Sequence, residues 1–133
     1  MFTEKFDDYV CVGDYITTTV DGFHVVARVD YDSDSHIDDD DCHNINQDIT
    51  GCNDDQQAKL LEAREAWFDD EWFYCGVVLS VFKNSICLSD DTALYGIDVN
   101  YPGNDNQYLT DTANDLLPFA LEEAKETLLA LIA

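Results

Sequence analysis

The densest run of groups able to do chemistry is Asp30-Tyr-Asp32-Ser-Asp34-Ser-His36-Ile-Asp38-Asp-Asp-Asp41. Asp30, Asp32, Asp34, Asp38 and Asp41 stand at positions 1, 3, 5, 9 and 12 of a twelve-residue window, the spacing with which a calcium loop gathers oxygen ligands. Position 6, however, is Ser35 rather than glycine, and a strand rather than a helix leads into the run. A Ca²⁺ site and a solvated acidic loop are therefore both readings of this window. His36, Cys42, His43 and Cys52 add ligand types that Zn²⁺ takes, but at spacings that belong to no zinc module.

A second constellation is the triplet Asp69-Asp70-Glu71, flanked by Trp67, Phe68, Trp72, Phe73 and Tyr74. Adjacent carboxyls do acid–base work only where burial raises the pKa of one of them, and with 29 Asp and Glu in the chain adjacency arises by chance. The plain reading is a helix-to-strand corner whose aromatics fill the core. The sharper one is an acidic knob with aromatic anchors, suited to an Arg-rich surface. No G-x-S-x-G elbow and no glycine-rich phosphate cradle occurs, and His24 sits in the middle of a strand-like run. The chain is expected not to be an enzyme and to need no cofactor beyond the Ca²⁺ just considered.

The charge is the chain's strongest statement. Six Lys and Arg stand against 29 Asp and Glu, for a net charge of -23 at pH 7. Such a surface repels nucleic acid and anionic lipid, so direct binding to either is excluded, and cations or basic protein surfaces are the expected partners. The 46% hydrophobic and 12% aromatic content is that of a chain that folds. Residues 1–133 suit one domain. No apolar run is long enough to span a bilayer, and Met1 to Asp8 lacks the basic-then-apolar order of a signal peptide, so a cytoplasmic setting is expected. Five cysteines without a C-x-x-C pair fit reduced thiols.

The elements that must position these groups are legible from pattern. The β-branched run from Asp14 to Val20, the pair Asp21-Gly22 and the run from Phe23 to Asp30 predict a hairpin with a type I′ turn. Residues 31–55 read as a long acidic loop. A helix follows from a cap at Asp54 or Asp55 to about Phe68, with Leu60 and Leu61 recurring as Trp67 and Phe68. Trp72 to Phe82 predicts a buried strand that turns at Lys83-Asn84-Ser85 and returns through Ile86 to Leu88. A separate short strand is expected from Ala93 to Val99, after the polar residues 89–92. A terminal helical stripe from Leu109 to Leu129 contains Pro118, where a kink or restart is expected. The order predicts an α+β fold: an antiparallel sheet of two hairpins in a meander, with a central helix and a C-terminal helix packed on one face.

The runs Asp70-Glu-Trp-Phe-Tyr-Cys-Gly-Val-Val-Leu79, Leu94-Tyr-Gly-Ile97, Asn100 to Thr110 and Ala113-Asn-Asp-Leu-Leu117 resemble a family of small acidic phage and mobile-element proteins, with Tyr95 where that family carries Trp. The likeness covers roughly the second half of the chain and implies a genomic setting more than an activity. Mobile elements must survive restriction and CRISPR systems, and small acidic proteins of theirs meet that need by imitating DNA. By that analogy the chain is expected to be a DNA mimic that occupies the nucleic-acid-binding surface of a host defence complex. Its phosphate mimics would be Asp38, Asp39, Asp40, Asp41, Asp54, Asp55, Glu62, Glu65, Asp69, Asp70 and Glu71. The alternatives are a Ca²⁺ module built on the Asp30–Asp41 window and a halophile-adapted protein of unrelated function. A homodimer would lengthen a mimic surface, if an apolar face overcame the repulsion.

Overall fold

The computed structural model describes residues 1–34 and 54–132. β1 (Tyr15–Val20) and β2 (Phe23–Tyr31) form the first hairpin, with Val20 opposite Phe23. Asp21 and Gly22 both take positive φ, 51° and 82°, as a type I′ turn requires. After α1 (Asp54–Phe68), β3 (Phe73–Lys83) and β4 (Ile86–Val99) make the second hairpin around Asn84 and Ser85, again both at positive φ. The sheet is an antiparallel meander in the order β1-β2-β3-β4. β3 is inside the sheet and buried on both faces from Tyr74 to Val81, hence its nearly unbroken run of β-formers.

α2 (Gln107–Ile132) covers one face of this sheet. Leu109, Ala113, Leu117, Ala120 and Ala124 pack on Val25, Ala27 and Val29 of β2 and on Cys75, Val77, Leu79 and Val81 of β3 within one core cluster. Three alanines in that stripe let the helix sit close to the sheet. α1 meets the protein elsewhere. Its Ala66 joins Trp72 and Tyr74 in a second cluster, and Tyr74, adjacent to Cys75 in β3, points to the opposite face of the sheet. The α+β architecture, with its antiparallel meander and two helices, is the one the pattern predicts, but the two helices do not share one face of the sheet as expected, because α1 is fastened through Trp72 and Tyr74.

Two expectations need correction. Residues 86–99 form one strand of 14 residues rather than a short return followed by a separate strand. β3 has 11 residues, and the three extra residues of β4 are absorbed at three register shifts. The polar residues 89–92 that looked like a break are accommodated at one of those bulges. Likewise α2 does not restart at Pro118 but runs unbroken from Gln107 to Ile132. Proline removes one backbone donor there, and the residue lies on the exposed side of the helix, where water can satisfy the freed carbonyl.

Residues 1–14, outside any helix or strand, form a strap along α2 and the end of β4. Phe2, Phe6 and Val10 are buried in the main core at four-residue intervals. The backbone N–H of each donates to a side chain: Phe2 to Asn114 Oδ1 at 2.7 Å, Phe6 to Thr110 Oγ1 at 3.1 Å and Val10 to Asn100 Oδ1 at 2.8 Å. Asn106, only 3% exposed, donates through Nδ2 to the Asp8 carbonyl at 2.9 Å and to Asn100 Oδ1 at 2.9 Å, and accepts from the Asn100 N–H at 2.8 Å. At Phe2, Phe6 and Val10 the backbone donors are thus satisfied by side chains in place of a ladder.

Candidate functional site

The acidic triplet closes α1. The N–H of Glu71 donates to the Ala66 carbonyl at 2.9 Å and the N–H of Asp70 to the Trp67 carbonyl at 3.1 Å, with Asp70 at φ 60°. That is a Schellman cap with Asp70 at the left-handed position that glycine favours. Two features of this corner oppose local stability. Asp at positive φ is more strained than Gly, and three carboxylates stand at the negative end of the helix dipole. All three are exposed, as are Glu62 and Glu65 on the preceding turns. Among the described residues none of these five makes an ion pair. Glu62 and Asp69 are seven residues apart, about 10 Å along the axis at 1.5 Å per residue. Five carboxylates near that length give one charge per roughly 2–3 Å, between the spacing of a DNA duplex and that of a single strand.

The aromatics around the triplet divide between the two expected roles. Trp72 and Tyr74 are buried, and Trp72 Nε1 donates to the Ala63 carbonyl at 2.7 Å, fastening α1 to the sheet. Tyr101 completes the cluster edge-on to Trp72, with ring centres 4.9 Å apart. Phe68, by contrast, is 56% exposed, stands edge-on to the half-buried Trp67 and lies beneath the Arg64 guanidinium at 5.2 Å. So one aromatic group is core and the other is presented beside the acids.

Of the remaining expected phosphate mimics, Asp55 is exposed on the first turn of α1, which begins at Asp54. Asp38, Asp39, Asp40 and Asp41 lie outside the described residues, as do His36, Cys42, His43 and Cys52. The chain matches no protein-family model, no curated protein and no solved structure. What the site can do must therefore be argued from its own chemistry.

The expected Ca²⁺ ligands Asp30, Asp32 and Asp34 do not converge, and Asp38 and Asp41 lie outside the described residues. Asp30 pairs with Arg28 at 3.5 Å. Asp32 is 6% exposed and acts as a structural tie: Oδ2 accepts from the Gly96 N–H at 2.8 Å and Oδ1 from the Asp34 N–H at 3.0 Å. Among the described residues no group of three or more His, Cys, Asp or Glu is arranged to hold a metal. His24 is exposed on β2 with its ring 6.5 Å from that of Phe82, beside no described ion-pair partner. Cys75 is buried, and burial followed by the charges of Asp98 and Asp32 pushes its thiol up to about 12, so it is no nucleophile. No described helix is long and apolar enough to cross a membrane.

The run from Asn100 to Asn114 has a structural purpose. Asn104 N–H donates to the Tyr101 carbonyl at 2.9 Å across Pro102 and Gly103, the latter at φ 83°, and Asp105 accepts from the Gln107 N–H at 3.0 Å to start α2. Asn100, Asn106, Thr110 and Asn114 then hold the strap. Gly76 is required because a Cβ there would overlap the ring of Tyr95, which lies against it from β4. Sequence reasoning passed over a second acidic stripe: Asp111, Asp115, Glu122 and Glu126 are all exposed along α2. Their spacings of four, seven and four residues keep them on one side of a helix, a signal that was present in the pattern.

Proposed function

We propose that this protein is an acidic DNA mimic, of the phage or mobile-element kind, that occupies the positively charged nucleic-acid-binding surface of a CRISPR or restriction complex in the cytoplasm of the host cell. The observation that carries this reading is the corner at Asp69, Asp70 and Glu71. Its carboxylates are exposed, without an ion pair among the described residues, set against the helix dipole and, at Asp70, held in a strained backbone. A feature that opposes local stability twice over is explained by use rather than by folding. Carboxylates on a fixed helix stand in for phosphate oxygens, which Arg forks bind bidentately, and Phe68 offers an apolar contact among them. The exposed acids of α2 extend the field that steers a basic partner.

The test is inhibition of target-DNA cleavage by a CRISPR or restriction nuclease against which the protein is active. Neutralising the corner as D69N/D70N/E71Q should weaken inhibition by tenfold or more, on the order of 1.4 kcal/mol. Undiminished inhibition by a folded triple variant would remove this corner from the interface.

A further inference from the structure

α2 outruns the core it covers. Its last buried residue is Ala124 and Leu128 is the last to pack against the core, yet the helix continues to Ile132. From Thr127 to Ile132 the sequence is Thr-Leu-Leu-Ala-Leu-Ile, without one carboxylate in a chain of net charge -23. Leu129 is 64% exposed, and Leu131 and Ile132 are as open. Clustered exposed apolar side chains of this kind mark a contact surface. Further back along the helix, a groove of about 410 Å³ opens between α2, Val20 of β1 and Met1 of the strap, with Pro118, Leu121, Glu122 and Lys125 on its α2 side. Lys125 is the only base on α2 and makes no ion pair among the described residues.

The spacing of this surface says what fits it. Pro118, Glu122, Lys125 and Leu129 are all exposed, and they follow one another at four, three and four residues. At 3.6 residues per turn that confines them to about 60° of the helix surface, the pattern of a helix–helix seam. The seam is also symmetric in charge and polarity. Pro118 and Leu129 lie about the same midpoint as Glu122 and Lys125, between Glu123 and Ala124. A two-fold axis through that point lays α2 antiparallel to α2 of a second copy. It sets each Lys125 against Glu122 of the other copy and each Leu129 against the Pro118 side of the other groove. A basic partner has no such fit, because a lysine stands in the seam and no carboxylate follows Glu126. A second copy supplies both the apolar surface and the acid that Lys125 lacks.

We propose that two copies of this chain associate through α2, antiparallel about a two-fold axis, with the apolar end of each helix against the groove of the other and Lys125 paired with Glu122 across the seam. In such an isologous contact every pairing occurs twice. Repulsion between two bodies of net charge -23 opposes association, and salt screens it. The dimer therefore strengthens as ionic strength rises, the reverse of binding to a basic surface. The assignment does not depend on the corner at Asp69, which belongs to α1.

The experiment is sedimentation equilibrium of the full chain from micromolar to millimolar protein, in about 0.15 M and about 1 M KCl. The expected result is a reversible monomer–dimer equilibrium that shifts towards dimer at the higher salt. L129E should weaken the dimer by about tenfold or more, because it places a carboxylate in the apolar contact. Y108E adds the same charge at an exposed position near the start of α2, away from the seam, and should associate as the wild type does. Both positions are exposed, and circular dichroism verifies that the variants fold. K125E and E122K each set like charges across the seam and should weaken the dimer by roughly threefold to tenfold, whereas E122K/K125E restores the pairing and the wild-type affinity. E122K is the sharpest of these, since it lowers the net repulsion and would tighten any association governed by overall charge. A protein monomeric throughout would leave this face to another occupant and overturn the proposal. An L129E protein that dimerises as the wild type does, or an E122K dimer tighter than wild type, would overturn it equally.

Discussion

Replacing Asp70 by glycine should make this protein more stable while weakening its binding. Asp70 holds φ 60° at the left-handed cap of α1. Relief of that conformation is worth about 1 kcal/mol for a residue such as Asp. Removing a carboxylate from the negative end of the helix adds about 0.5 kcal/mol at low salt. Against this, glycine widens the unfolded ensemble by about 0.4–1 kcal/mol. The net gain is therefore about 0.5–1 kcal/mol, or roughly 2–5 °C in melting temperature for a domain of this size. Urea denaturation at low and high salt separates the contributions, since the dipole part fades with screening and the conformational part does not. D70N, which also tolerates positive φ but does not loosen the unfolded chain, should gain a similar amount. A D70G protein less stable than wild type at both salt concentrations would refute the argument that this corner is held against its own stability.

Four further outcomes follow from named contacts. G76A should lose about 1–3 kcal/mol, because the new methyl displaces the Tyr95 ring from β3, and Y95A in the same chain should recover part of that loss in thermal melts. N106A should cost about 2–4 kcal/mol by stripping the hydrogen bonds to Asn100 and Asp8, and hydrogen exchange at Phe2, Phe6 and Val10 should accelerate ahead of exchange in the sheet. Alkylation of the native protein should modify Cys11 and Cys87, which are exposed, and reach Cys75 only on unfolding. The pKa of Glu123 is raised, chiefly by the neighbouring Asp91 carboxyl, so the folded state holds its proton more tightly than the unfolded one. Its contribution therefore favours folding at low pH and is lost as pH rises from the ordinary carboxyl range through the folded pKa. The stability of E123Q relative to wild type, followed by urea denaturation, should accordingly rise across that window.

Local chemistry made much of this fold legible. Asp21-Gly22 forms the type I′ turn expected there, Asn84 and Ser85 make the turn that was expected over Lys83 to Ser85, and β3 reads as an inner strand because both of its faces are covered. The errors lie where tertiary context decides. Residues 89–92 look like a loop because polar residues interrupt the pattern, yet bulges let a strand carry them. The stripe of α1 misled for a related reason: Leu61 and Phe68 are exposed, whereas Ala63 and Ala66 are the buried contacts, since the helix is fastened through Trp72 and Tyr74 instead of lying along a face. The strap could not be seen at all from residues 1–14, whose apolar residues recur every fourth position without forming a helix. Its partners, Asn100, Asn106, Thr110 and Asn114, lie about 90 to 112 residues away. For the site, composition exposed the acids of α1 but not which aromatics stand beside them, because burial separates Phe68 from Trp72 and the pattern does not.

The measurement closest to the central claim is capture of binding partners on the immobilised full-length protein from a bacterial lysate at low salt, followed by elution with short duplex DNA. The account predicts that a nucleic-acid-binding complex is retained, that duplex DNA releases it, and that the D69N/D70N/E71Q protein retains much less of it. Retention of assorted basic proteins that are indifferent to DNA and bind the triple variant equally would contradict it, and would leave the acidity as diffuse charge without a matching surface.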